Sequence, residues 1–162
     1  MKVYFVRHGQ SVSNLSGIYT RESEDFLTPL GLNQAIMTFS KLQSIKFDNV
    51  LTSPYPRSKQ TCLYKDNVVW EDLRERGRPE ECLGLEFKSP EYQKLRSEFD
   101  KINFFDFKQR SNSVMKNIEN LSANTILAYS HEGLIKMIFA LCLFGSKLIF
   151  EQHDLIYTNF KN

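Results

Sequence analysis

The sequence predicts an α/β fold, a three-layer α/β/α sandwich with a mostly parallel central sheet and a small lid insertion at about residues 71–110. Three observations carry that prediction. Short apolar runs alternate with stretches of helical spacing, in the order β-α-β-α-β, an irregular stretch, then β-α-β. Strands separated by helices pair in parallel through right-handed crossovers. The alternation lapses only between Glu71 and Arg110, where charged and aromatic residues are interrupted by Gly77, Pro79, Gly84 and Pro90.

Val3 to Val6 is a short apolar run of the kind that forms a buried strand. Leu32, Ala35, Ile36, Phe39 and Leu42 then fall at helical spacing, with Thr28 placed as N-cap and Pro29 in the first turn. "DNVLTSP" reads as a second strand ending at Ser53, and Pro56 opens a helix through "RSKQTCLY". "NVVWE" supplies a third strand. Inside the insertion, helical pieces are expected to start at Pro90 and near Ser113. "NTILAYS" is the clearest strand and runs directly into an apolar helix from Gly133 to Phe144. "DLIYTNF" has the alternation of a closing strand. The 162 residues read as one domain (1–162), long enough to bury a core without staples.

Composition excludes several function classes. Lysine and arginine number 21 against 19 aspartates and glutamates, and a net charge of +2 argues against a nucleic-acid or anionic-membrane partner. The most apolar stretch, "LIKMIFALCLFG", is about a dozen residues with a lysine inside, whereas a membrane span needs about 20. The start "MKVYFV" lacks the organisation of a secretory leader. Cys62, Cys82 and Cys142 are far apart, with no C-x-x-C and no zinc-ligand spacing. Reduced cysteines in a cytoplasmic protein are the expectation. Composition does not set an oligomeric state.

In an open α/β sheet the ligand crevice lies outside the carboxyl ends of the strands. Three strands end there in chemically loaded residues. The first ends in Arg7-His8-Gly9, the second in Ser53-Pro54 with Arg57 one turn into the next helix, and "NTILAYS" in Ser130-His131-Glu132-Gly133. Parallel pairing brings the three ends to one edge. Two arginines and two histidines facing one crevice are costly unless an anion sits there. Phosphate suits the place, because guanidinium forks match its oxygens and the amides after His131 add donors. Singly, each piece is ordinary: "RHG" reads equally as a turn, "SHEG" as a capped helix start and Arg57 as a solvated helix residue. Their shared position at strand ends makes them a site. His153 has no such setting and is read as structural.

Together these motifs resemble the histidine phosphatase superfamily, the group containing the cofactor-dependent phosphoglycerate mutases. "VRHGQSVSN" resembles its N-terminal signature, with Arg7, His8 and Asn14 in register. "LTPLGLNQA" is similar to the segment that follows, and "LTSPYPRSKQT" to the serine-proline stretch with a second arginine, Arg57. "DLRERG" resembles the segment carrying an acid, here Glu75, and "YSHEGLI" the block with the second histidine, His131. The likeness covers nearly the whole chain and is weakest from Cys82 to about Leu121.

The resemblance implies a phosphohistidine mechanism in which His8 attacks phosphorus and water hydrolyses the phosphoenzyme. It implies that Arg7, Arg57 and His131 hold the phosphoryl oxygens, that Asn14 adds a neutral hydrogen bond, and that Glu75 protonates the leaving oxygen. Glu71, Glu80, Glu81 and Glu86 lie near the acid, and only the L-R-E-R context selects Glu75. Arg7 and Arg57 are expected to keep His8 neutral, with a backbone carbonyl of the Gly9 turn fixing its tautomer. Neither metal nor cofactor is implied. Gln10 and Glu132 complete the candidate phosphate-binding set. Gln10 stands where the mutases often carry glutamate. Glu132 replaces a common glycine and is expected to point outward, since inward it would repel phosphate.

Within the family, the expected activity is hydrolysis of a phosphomonoester on a small phosphorylated metabolite. The alternatives are a phosphoglycerate mutase-type phosphoryl transferase, a phosphohistidine or phosphoprotein phosphatase, and a non-catalytic phosphate-binding scaffold. A short insertion without a paired-arginine stretch keeps water from a phosphoenzyme poorly, which favours hydrolysis. The marked acid favours a small ester. Lys88, Lys94, Arg96 and Lys101 could draw a second anionic group, and Phe99, Phe104, Phe105 and Phe107 could stack on a ring or form the insertion's own core.

Overall fold

The computed structural model describes residues 1–144, so the expected closing strand at "DLIYTNF" and His153 lie outside the described residues. Within them, β1 (Lys2–Arg7), β2 (Asn49–Thr52), β3 (Val68–Val69) and β4 (Thr125–Ser130) form one sheet in the order β1-β4-β2-β3. Every pairing is parallel. β4 lies inside the sheet and is buried from Ile126 to Ser130.

Side chains alternate across a strand, so β4 feeds two cores. Ile126 and Ala128 pack on one side with Leu51, Val114, Ile118, Leu134 and Ile138, and Leu127 and Tyr129 on the other with Val50 and Cys62. The first core is covered by α4 (Pro90–Glu119) and α5 (Glu132–Phe144). The second is covered by α2 (Pro29–Leu42) and α3 (Pro56–Thr61), with a short α1 (Val12–Ser16) between β1 and α2. The predicted three layers and parallel sheet are therefore present. Cys62, Cys82 and Cys142 are free thiols. Among the described residues no helix is long and apolar enough to cross a membrane.

Helix starts follow the local chemistry. Thr28 caps α2 by accepting the Gly31 N–H at 3.1 Å, with Pro29 in the first turn. Ser11 and Asn14 form a reciprocal capping box on α1. The loop after β1 and the first turn of α2 approach so closely that a methyl on Gly9 would meet Gly31 O at 2.5 Å, and one on Gly31 would meet Gln10 O at 2.1 Å. Two glycines thus set the path by which β1 leaves the sheet.

The insertion differs from expectation. It has 3₁₀ turns at Glu71–Leu73 and Glu80–Cys82, but from Pro90 it is one continuous helix rather than two pieces. No glycine or proline interrupts that helix after Pro90. The helix runs on through the expected second start near Ser113, and Ser111 turns its hydroxyl back to Phe107 O at 2.8 Å inside it. The wall over the sheet's carboxyl edge is therefore largely helical and runs past the expected boundary at Arg110.

Candidate active site

The loops leaving β1, β2 and β4 meet at the carboxyl edge of the sheet. The His8 and His131 rings lie 5.1 Å apart between centroids. A cavity of about 360 Å³ opens beside them, lined by Arg7, His8, Asn14, Arg57, Glu75 and Glu132 among others. Gln10 and His131 lie outside that lining, and the Gln10 side-chain oxygen accepts from the Thr28 hydroxyl at 2.8 Å.

His8 has a defined tautomer. Its Nδ1–H donates to Gly9 O at 2.7 Å, and Arg57 Nε donates to its Nε2 at 3.2 Å. An imidazole can satisfy both only when Nε2 carries a lone pair. Burial, then Arg57 and to a lesser extent Arg7, lowers its pKa from 6.5 to about 4. The arginines act in the expected direction, but burial is the larger cause. Gly9 N–H is in turn held by Thr61 Oγ1 at 3.0 Å, which ties the turn to α3.

His131 is fully buried. Its Nε2 shares a 2.7 Å hydrogen bond with Ser53 Oγ, and Tyr55 packs its ring edge-on at 5.2 Å. Its Nδ1 is buried without a hydrogen-bond partner. Burial, with Arg57 and His8 nearby, pushes its pKa far below the usual histidine range.

Arg57 is 5% exposed and is surrounded by acceptors. Beyond its bond to His8, Nη2 pairs with Glu22 and Nη1 lies 3.4 Å from Asp25 Oδ2. Asp25 is fixed by Ser13, whose N–H and hydroxyl donate to it at 2.9 and 2.6 Å. Burial raises the Glu22 carboxyl above the ordinary glutamate value despite Arg57. Neither acid stood out in "ESED", an ordinary polar loop with no diagnostic spacing.

Glu75, in the loop after the first 3₁₀ turn, reaches the start of α5. Its Oε2 accepts the Gly133 N–H at 2.9 Å and its Oε1 the Arg76 N–H at 2.8 Å. A methyl on Gly133 would meet Glu75 Oε1 at 2.3 Å, so a side chain there would displace the carboxylate. The loop behind Glu75 is gathered by Arg110, which donates to Asp72 O at 2.6 Å, Arg74 O at 2.7 Å and Glu75 O at 3.4 Å. Ser130 Oγ adds a 2.8 Å bond to Leu73 O.

Comparison with known proteins gives the family and the fold. The model for the histidine phosphatase superfamily (branch 1) matches residues 3–155. The chain belongs to that superfamily. It is 34% identical over 61 residues to adenosylcobalamin/alpha-ribazole phosphatase of Salmonella typhimurium, a match covering 38% of this chain and only 30% of that relative's length. The solved alpha-ribazole phosphatase of Shigella flexneri is similar in fold, with a TM-score of 0.72 at 22% identity over 86% of this chain and 78% of that one. Phosphoserine phosphatase of Entamoeba histolytica, solved with phosphoserine, gives 0.70 at 22% over 87% and 79%.

For this member of the histidine phosphatase superfamily one expectation is reversed. Glu132 does not point away from the site. It lines the cavity, with Oε2 3.0 Å from Arg7 Nη1 and Oε1 on Lys136. Its burial opposes ionisation, but Lys136 and Arg7 outweigh that and lower its pKa. The carboxylate is compatible with an anion site because two cations already neutralise it. Arg7 itself is half exposed at the rim.

Proposed function

We propose that this chain hydrolyses a small phosphomonoester through a phosphohistidine formed on His8 Nε2. The observation that carries the reading is the His8 setting, in which Nδ1–H is committed to Gly9 O and a neutral Nε2 lone pair meets the Arg57 cation. The lone pair attacks phosphorus, the bond to the leaving oxygen breaks, and Glu75 supplies that oxygen with a proton. Water then attacks the phosphorus, Glu75 takes its proton, and the P–N bond breaks to release phosphate and neutral His8. Arg7 and Arg57 hold the phosphoryl oxygens, and the unpartnered Nδ1 of His131 supports a role beside them. Asn14 lines the same cavity and offers a neutral hydrogen bond.

The cavity continues from the reacting centre to Arg76, Arg78 and Arg96. These three share one carboxylate, Asp100, at 2.8, 3.5 and 3.6 Å. Two largely buried guanidiniums with one counter-ion favour an ester carrying a second anionic group. Phosphoserine, bound in the Entamoeba histolytica structure, is of that class.

A screen of phosphate release from carboxylate-bearing, neutral and nucleoside phosphomonoesters tests both parts. The acid-bearing esters should show the highest kcat/KM, and His8→Ala should abolish turnover and covalent labelling without changing the fold. Parent-like turnover in that variant would remove His8 as nucleophile. Isomerisation of a phosphorylated hydroxy acid without phosphate release would instead point to a phosphoryl transferase.

A further inference from the structure

Two carboxylates face the single Arg57 guanidinium, and they are held very differently. Asp25 is 3% exposed and accepts two hydrogen bonds from Ser13, so it is a fixed counter-ion for Arg57. Glu22 lines the cavity, its side chain is 18% exposed, and it pairs with Arg57 Nη2. Asp25 already balances the charge of Arg57. A second carboxylate on the same fork is surplus in a cavity read as receiving a phosphoryl dianion. A phosphoryl oxygen drawn to Nη2 would meet the Glu22 carboxylate on the same donor, and like charges cannot share it at low cost.

We infer that Glu22 is a built-in anion that holds the phosphoryl group's place on Arg57 in the empty site and competes with it. The inference rests on the proposed phosphomonoesterase reading for its ligand. Glu22 keeps Arg57 oriented towards His8 before substrate arrives, then gives up Nη2 to a phosphoryl oxygen. After hydrolysis its return to Nη2 helps to expel inorganic phosphate. The residue thus sets how tightly the site holds any tetrahedral dianion, for both substrate and product.

The test compares Glu22→Gln with the parent protein, using sulfate as a dianion that stays ionised near neutral pH. The substituted side chain is neutral, yet its amide oxygen can still accept from Arg57 Nη2, so the guanidinium keeps its position. Calorimetry at pH 7 and low salt should show sulfate binding about tenfold tighter in the variant, equivalent to about 1.4 kcal/mol. KM for an aryl phosphate and the inhibition constant for inorganic phosphate should fall together. Glu22→Asp, which draws the carboxylate back by one methylene, should tighten sulfate less and serves if the first variant does not fold. Sulfate binding no tighter than the parent in the folded variants overturns the inference. If the parent hydrolyses esters through His8 and the variants bind sulfate no more tightly, only this inference fails. If the variants tighten sulfate but the parent hydrolyses nothing, the phosphatase reading fails and the competing anion stands.

Discussion

His8 must be neutral to act as a nucleophile, and burial does more to keep it so than either arginine. Its ring should titrate near pH 4 rather than 6.5, which NMR of the ring C–H signals measures directly. Arg57→Met should move that titration upward while leaving it below 6.5, because burial remains. A parent ring titrating at 6.5 would show that the site is wetter than its packing indicates. Glu75 carries a separable expectation. Glu75→Gln should slow esters of poor leaving groups by about two orders of magnitude while barely affecting aryl phosphates, whose leaving oxygens need little protonation. Equal losses on both would move the proton donor elsewhere. At this scale the sequence was legible where a residue's position depends on its place at a strand end, as for Arg7, His8 and His131. It was silent on Glu22 and Asp25, which reach Arg57 from a polar loop whose path is set by tertiary packing. It misjudged Glu132 because charge repulsion was weighed without the cations that pair with it.

The loop carrying Glu75 has little regular structure of its own and borrows its rigidity from two helices. Arg110 of α4 collects three of its carbonyls and stacks on Phe107 at 5.0 Å, while the first turn of α5 receives the carboxylate. Gly133→Ala separates folding from placement. Alanine is better in a helix than glycine by about 1 kcal/mol, so thermal stability should hold or rise. The added methyl nevertheless occupies the position of Glu75 Oε1, so the variant should show the leaving-group pattern of Glu75→Gln. Unchanged kinetics on poor leaving groups would mean that the carboxylate works from another position. Arg110→Met should lose the same activity but also destabilise the protein by about 1–3 kcal/mol, since three partly buried carbonyls lose their donor. The strands and α2 were readable because alternation and capping are local signals. The length of α4 was not, because its amphipathic pattern is weak and Ser111 satisfies its hydroxyl within the helix.

At the scale of the molecule, parallel pairing is what assembles the site, since it sends the ends of β1, β2 and β4 to one edge. That convergence could be argued from strand order alone, whereas the spacing within the site depends on close approaches such as Gly9 on Gly31. A net charge of +2 hides the concentration of cations around two neutral histidines, and that concentration makes stability depend on pH. His8 and His131 are both held neutral in the folded protein, His8 down to about pH 4. In the unfolded chain each takes a proton below about 6.5. Between those values the unfolded state binds more protons, so stability is present above about 6.5 and is lost as pH falls towards 4. The slope is about 1.4 kcal/mol per pH unit for each histidine. Glu22 acts the other way, because its raised pKa favours folding of the protonated form and that contribution fades as pH rises. Urea unfolding between about pH 7.5 and 4.5 should therefore show a falling stability, and His131→Gln should flatten the acid side by about one proton. An unchanged slope in that variant would mean that His131 is already charged in the fold, and so is not the neutral ring that its burial beside Arg57 requires.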